Sequence, residues 1–267
     1  MKKNIYLIKF GGSIITDKNS PLKADFKAID NLSYQISIIK KENPDLNLII
    51  GNGAGSFGHY YAEKYKTNND YVNFKNYGFS KINFSVKKLN LLIIKKLIEK
   101  NISCISFSPS SFLFSKNKKL KKIFIEPIIN CLNQNIIPIV YGDIIFDEKL
   151  NSVIFSTEKI FKELIFKLIK LNYKIKFIIY CSDVDGIYDE NKKIIDKINK
   201  NNFLKIKDKL IKYSQKYDVT GGIIHKIEES LELFDKFSIP SLIFNATKNN
   251  QLIKFFKGEK ITGTFIK

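Results

Sequence analysis

Two apolar runs in this chain of 267 residues stop abruptly at glycine and a further glycine pair opens a helical pattern, and those junctions constrain its fold more than any other feature. "IYLIKF" meets Gly11-Gly12-Ser13. "LNLII" runs into "GNGAGSFGHYYAEKY", with Gly51, Gly53, Gly55 and Gly58 inside eight residues. In "DVTGGIIHKIEESL" Gly221-Gly222 open a helical pattern. A β-rich run, then glycine, then helical spacing is a strand–turn–helix unit, and glycine there admits backbone conformations and close approaches that a Cβ forbids.

The rest of the chain repeats that grammar. Strands are predicted at residues 5–10, 46–50, 103–107, 137–141, 177–181 and 241–245. Their apolar runs are nearly continuous, as in parallel strands buried on both faces. Residues 81–100, 157–171 and 222–236 carry apolar side chains at helical spacing. "GDIIFDEKLNSVIFS" reads as a hairpin, with Asp143 and Asp147 as turn residues. Alternating strands and helices predict an α/β fold with a mainly parallel central sheet. No internal repeat or flexible linker divides the chain, so a single domain is expected over residues 1–267. The lysine-rich stretch "DENKKIIDKINKNNFLKIKDKL" reads as a solvated surface insertion.

Composition excludes several classes. Hydrophobic residues make up 44% of the chain, enough for a core. No run approaches the roughly 18 apolar residues of a membrane span, and "MKKNIYLIKFGG" is too short for a secretory leader. Three cysteines, an odd number without CxxC spacing, suit a reducing cytoplasm and argue against disulfides or a zinc cluster. The formal charge of +19 invites a nucleic-acid reading. Every one of the 45 basic residues is lysine, however, and bidentate phosphate or guanine contacts favour arginine. The lysines also scatter over nearly every polar face. No nucleic-acid or membrane partner is expected.

The glycine junctions carry the chemistry. Bare backbone lets N–H groups converge on phosphate oxygens, and a helix N-terminus adds its dipole. Lys9 and Lys18 flank the first junction and Lys226 follows the third, each a compact charge suited to phosphate. "GNGAGSFG" is neither a Walker A loop nor a full GxGxxG fingerprint. Each junction alone also fits an ordinary tight turn. Because open α/β sheets bind ligands at the carboxyl ends of their strands, the three could converge on one polyphosphate.

"IKFGGSIITDK", "GAGSFGHYYAEKY", "SFSPSSF", "IPIVYGDIIFD", "YCSDVDGIY", "DVTGGIIHKI" and "FNAT" follow one another in an order that resembles the amino-acid-kinase superfamily, and within it the isopentenyl phosphate kinases. The resemblance runs from Lys9 to the "GTFI" ending. It implies a three-layer αβα sandwich, a homodimer, and ATP-dependent transfer of the γ-phosphoryl group to isopentenyl phosphate, with Mg²⁺ carried on the nucleotide and no protein metal site. It implies an acceptor-binding part over about residues 1–155 and a nucleotide-binding part over about 156–267. Carried over, Lys9 touches the transferring group and Gly11, Gly12 and Ser13 supply amides. Lys18 stabilises the transition state, His59 holds the acceptor phosphate, and Ala54 and Gly55 lie beside it. Asp183 and Tyr188 fall at the nucleotide, and Gly222 and Lys226 at the ATP phosphates.

Two segments depart from that pattern. Isopentenyl phosphate kinases read HGGG where this chain has Asn52-Gly53-Ala54-Gly55, and SGDD where it has Ser156-Thr157-Glu158-Lys159. The second segment is more similar to fosfomycin kinase, and it sets the Thr157 hydroxyl beside the expected acceptor phosphate. A kinase for a phosphonate or another small anion therefore stays open, as does a non-catalytic nucleotide sensor. Against the sensor stands the joint presence of Lys9, Lys18, His59 and Lys226. Asp185 reads as a cap of the "DVDG" turn.

Overall fold

A computed structural model describes residues 4–17, 20–66, 74–217 and 222–267. In chain order the strands are β1 (Asn4–Phe10), β2 (Asn47–Asn52), β3 (Cys104–Ser106), β4 (Leu113–Lys116), β5 (Lys119–Ile123), β6 (Ile137–Tyr141), β7 (Asp143–Asp147), β8 (Asn151–Phe155), β9 (Lys174–Ser182), β10 (Lys197–Ile198), β11 (Ser241–Asn245) and β12 (Thr264–Ile266). The helices are α1 (Gly12–Ile15), α2 (Phe26–Glu42), α3 (Gly55–Tyr65), α4 (Asn76–Glu99), α5 (Pro109–Phe112), α6 (Glu126–Asn133), α7 (Thr157–Lys170), α8 (Lys200–Tyr217), α9 (Gly222–Phe237) and α10 (Gln251–Lys257).

Eight strands form the central sheet in the order β10-β12-β11-β9-β1-β2-β6-β3. From β11 through β3 every pair is parallel, and β12 runs antiparallel to β11. Alternation along β1 splits the core into two layers. Ile5 and Leu7 face α7 and α9, packing with Phe161, Leu164, Ile227 and Leu231. Ile8 and Phe10 face α2 and α4, packing with Leu32, Ile36, Leu89 and Ile93. Helices on both faces of a mainly parallel sheet make the expected αβα sandwich.

The parallel strands bring their carboxyl ends to one edge, and a relay of backbone bonds joins them. Gly11 N–H donates to Cys181 O of β9 (2.9 Å), Gly53 N–H to Phe10 O of β1 (2.9 Å), and Gly142 N–H to Asn52 O of β2 (3.1 Å). Each junction is thus pinned to the last carbonyls of its neighbour, so four chain segments emerge in fixed register at one edge.

Three parts of the sequence reading change. The predicted hairpin is β7–β8, but it belongs to a second sheet of four strands, β5-β4-β7-β8, half of which the lysines of "LFSKNKKLKKI" concealed. The lysine-rich insertion is not a solvated excursion. It carries β10 into the central sheet and α8 onto the core, burying Ile198 and Phe203. Asp147 is more than a turn residue. Its carboxylate accepts N–H bonds from Asn117 and Lys118 (both 2.9 Å) in the β4–β5 turn and from Lys149 and Leu150 (2.9 and 3.0 Å) in the β7–β8 turn, together with the Ser115 hydroxyl (2.7 Å). Asn117 and Lys118 both have positive φ, 50° and 65°, as a two-residue hairpin turn demands.

Burial alone would raise the Asp147 pKa, but these donors overcome it and hold the carboxyl well below its usual range. The stabilisation is therefore present above the unfolded pKa and is lost as pH falls toward the folded one. Asp147→Ala is expected to lower unfolding free energy by about 2–4 kcal/mol at neutral pH, since four backbone donors lose their acceptor. In thermal melts the wild-type midpoint should fall more steeply than the variant's between about pH 5 and pH 3. Parallel pH dependences would refute the assignment.

Candidate active site

Lys9 is the penultimate residue of β1, beside Gly51 of β2 and Tyr180 of β9 in the ladder. Strand alternation puts it on the same face as Ile5 and Leu7, beneath α7. It is only 7% exposed, and its ammonium pairs with the carboxylate of Glu158 in the first turn of α7. Burial pushes the Glu158 pKa up, but the charges of Lys9 and then Lys226, with the Lys9 hydrogen bond, bring it down to about 2. A helix N-terminus is also a favourable place for an anion. Glu158 thus pairs with Lys9 on β1 and lies near enough to Lys226, one turn into α9, to feel its charge.

Glycine permits this geometry twice. A Cβ on Gly51 would lie 2.5 Å from Thr157 Cγ2 and 2.7 Å from Phe161, so only glycine lets α7 come down onto β2. The first and second junctions touch backbone to backbone. A Cβ on Gly12 would fall 2.6 Å from Gly55 Cα, and one on Gly53 would fall 2.6 Å from Gly12 N. Gly55 also has φ +50°. Thr16 closes the contact: its hydroxyl donates to Gly12 O (2.7 Å) and accepts from Ser56 N–H (3.1 Å).

Around this contact lie most of the residues named from sequence. Ala54 caps α3 and Gly55 begins it, so their amides stand at a helix N-terminus. His59 follows one turn later. Its side chain stays exposed, yet surrounding protein and then the Lys9 charge hold its pKa below the usual value. The influence of Lys9 puts both residues in one neighbourhood. Gly11 is packed against Cys181 O, where a Cβ would lie at 2.7 Å. Ser13 donates to the Asp183 carboxylate (2.7 Å), linking the first junction to the end of β9. Tyr188 is half-buried and bridges to Ile194. Gly222 opens α9. Lys18 lies outside the described residues.

Two expectations fail. The Thr157 hydroxyl does not point to an acceptor: the residue is buried, its hydroxyl donates to Asn52 O (2.7 Å), and its Cγ2 methyl fills the space that Gly51 leaves. Asp185 does not act as a turn cap; its carboxylate pairs with Lys248 at 2.9 Å.

Two residues went unrecognised in the sequence. Glu158 was visible only as part of a departing segment, although an acid in the first turn after a serine N-cap is a signal in itself: Ser156 Oγ accepts from Lys159 N–H (3.2 Å). Asp143, read as a turn residue, is buried beside Gly142. Desolvation lifts its pKa to about 8, so it is protonated at neutral pH, and it accepts from Ile144 N–H (2.7 Å) and Asn83 Nδ2 (2.8 Å). Past it a small apolar cluster of Ala62, Phe74, Ile82 and Ile144, flanked by Phe79 and Ile154, lies between α3, α4 and the β7–β8 hairpin.

The arrangement therefore joins a buried Lys9–Glu158 pair, a second lysine whose charge that carboxylate feels, glycine amides at helix N-termini, an imidazole and a neighbouring apolar cluster. Such a set can bind and align two phosphate groups and compensate charge between them. The amino acid kinase family model matches residues 4–245. The isopentenyl phosphate kinase of Methanocaldococcus jannaschii is 33% identical over 97% of both chains, and that of Methanothermobacter thermautotrophicus 31% identical over 97% of this chain and 98% of its own. A crystal structure of isopentenyl phosphate kinase superposes with a TM-score of 0.78 at 26% identity, covering 98% of this chain and all of that one. Matched in sequence and in architecture along almost its whole length, the chain belongs to the amino acid kinase family.

Proposed function

We propose that this protein is an ATP-dependent kinase that transfers the γ-phosphoryl group to isopentenyl phosphate, giving isopentenyl diphosphate. The observation that carries the reading is the buried Lys9–Glu158 pair, with Lys226 near enough for its charge to lower the Glu158 pKa, at the edge where the first two glycine junctions meet. Phosphoryl transfer asks little covalent chemistry of a protein; it needs alignment and charge compensation. An ionised acceptor phosphate is already nucleophilic, so no general base is required. His59 and the α3 amides hold the acceptor phosphate, and Lys9 and Lys226 meet the charge that spreads over the transferring group's equatorial oxygens. Glu158 pairs with Lys9 and offsets the nearby charge of Lys226 before any phosphate arrives.

The apolar cluster beside α3 supports an acceptor with a short hydrocarbon tail. Gly222, Lys226, Asp183 and Tyr188 would serve the nucleotide, making residues from about 156 onward the nucleotide part and those before it the acceptor part. Among the described residues no group of three or more His, Cys, Asp or Glu side chains is placed to hold a metal ion. Mg²⁺ would accordingly ride on the ATP phosphates, where it neutralises part of their charge. Three free thiols support a reducing cytoplasm, and no described helix is long and apolar enough to cross a membrane.

A homodimer is part of the same proposal. Phe84, Leu91 and Ile98 recur at heptad spacing on the outer face of α4, all more than half exposed, beside exposed Ile105 on edge strand β3. A second copy of this chain would cover that stripe. Light scattering should find a dimer for the wild type and a monomer for Leu91→Glu; a monomeric wild type would contradict it.

The activity is tested by ADP release from MgATP with isopentenyl phosphate, dimethylallyl phosphate, fosfomycin, UMP and acidic amino acids. Turnover of isopentenyl phosphate with the highest kcat/KM is expected, and turnover of another acceptor alone would overturn the substrate. Lys9→Ala should lower kcat by at least about 10²-fold with the fold intact, because a preorganised charge at the transition state is lost. Glu158→Gln should lower kcat at least about tenfold, since Lys9 loses the anion that holds it and Lys226 loses a nearby counter-charge. Unchanged kcat with only a raised KM would make these residues ground-state anchors.

A further inference from the structure

A chain of buried amide contacts runs from the sheet edge to the second glycine junction. Ser106 Oγ on β3 donates to Asn90 Oδ1 on α4 (2.5 Å), Asn90 Nδ2 donates to Asn52 Oδ1 (2.8 Å), and Asn52 Nδ2 donates to Gly53 O (3.2 Å). Asn52 and Asn90 are wholly buried, in the layer that also holds Leu89, Ile93 and Ile139. Two carboxamides in an apolar layer are costly unless paired, and an apolar pair of the same shape could be as stable or more so. Stability alone does not account for them.

Their effect on the junction does. The Asn52 carbonyl is already committed, accepting the Thr157 hydroxyl (2.7 Å) and Gly142 N–H (3.1 Å), while Gly53 N–H goes to Phe10 O (2.9 Å). What remains to be set is the peptide between Gly53 and Ala54. In a trans peptide the C=O and N–H point in opposite directions. With its carbonyl drawn back to Asn52, that unit must turn the Ala54 N–H the other way. Ala54 N lies 3.7 Å from where a Cβ on Gly142 would sit, which puts this amide beside the Gly142 junction.

We propose that Asn90 is a positioning residue: through Asn52 it locks the Gly53–Ala54 peptide so that the Ala54 N–H is presented to the acceptor phosphate. In this chain the lock is made by two asparagines. The proposal rests on the phosphoryl-transfer reading above and adds a residue with no expected contact to either substrate.

The test is steady-state kinetics of Asn90→Leu, which fills the volume but cannot donate to Asn52, with circular-dichroism melts as the check on folding. The expected result is a loss of at least about tenfold in kcat/KM for isopentenyl phosphate, carried by its KM, with KM for MgATP within about twofold of wild type. A residue that merely supports the fold would leave the two KM values in their original ratio. Where Asn90→Leu does not fold, Ser106→Ala decides; it loosens only the outer link and should raise the acceptor KM at least about threefold, again sparing MgATP. An active wild type whose folded variant shows unchanged kinetics, or equal losses for both substrates, overturns the positioning role alone. A wild type inactive on isopentenyl phosphate overturns the functional reading and the proposal with it.

Discussion

The backbone contact between the first two glycine junctions is the constraint from which the site follows. With 2.6 Å between a hypothetical Cβ on Gly12 and Gly55 Cα, and the same from Gly53 to Gly12 N, no side chain fits between the two loops. The approach is set by the sheet beneath, because β1 and β2 are parallel neighbours and their junctions leave at the same level. Thr16 then bridges the two loops with one hydroxyl. Two helix N-termini consequently open side by side at the carboxyl edge. A site for two phosphates is the natural use of such a surface.

Charge is the second element, and its placement follows from strand alternation. Lys9 shares a face with Ile5 and Leu7, so a lysine lies where the core layer ends. Leaving it there unpaired would be costly, and the first turn of α7 supplies Glu158. A buried ion pair of this kind contributes little net stability. Its value is orientation: one carboxylate engages a lysine from β1 and feels another from α9, two elements far apart in sequence that must act on one group.

The sequence disclosed much of this, for identifiable reasons. Continuous apolar runs such as "LNLII" and "IPIVY" have few readings other than buried parallel strands, and glycines at their ends marked the edge where ligands gather. What it concealed lay where lysine replaced ordinary polar variety. The strand Lys119–Ile123, "KLKKI", carries almost no pattern, and "KNNFLKIKDKL" hides the buried Phe203 and Leu210 among charges. Glu158 and Thr157 were misjudged for a different reason. Adjacent on the first turn of a helix, they diverge by about 100° around its axis. One side chain therefore reaches Lys9 while the other turns to the Asn52 carbonyl. Nothing in "FSTEK" says which. Asp147 is similar: its role depends on two hairpin turns meeting, a long-range fact that local sequence does not encode.

The central claim is that this edge joins two phosphates rather than merely binding them. Following MgATP and isopentenyl phosphate with the enzyme by ³¹P NMR tests it most directly. The account predicts that the acceptor's monophosphate resonance is replaced by a coupled pair from a new diphosphate, with ADP forming in equal amount. Accumulation of inorganic phosphate with the acceptor resonance intact would contradict it.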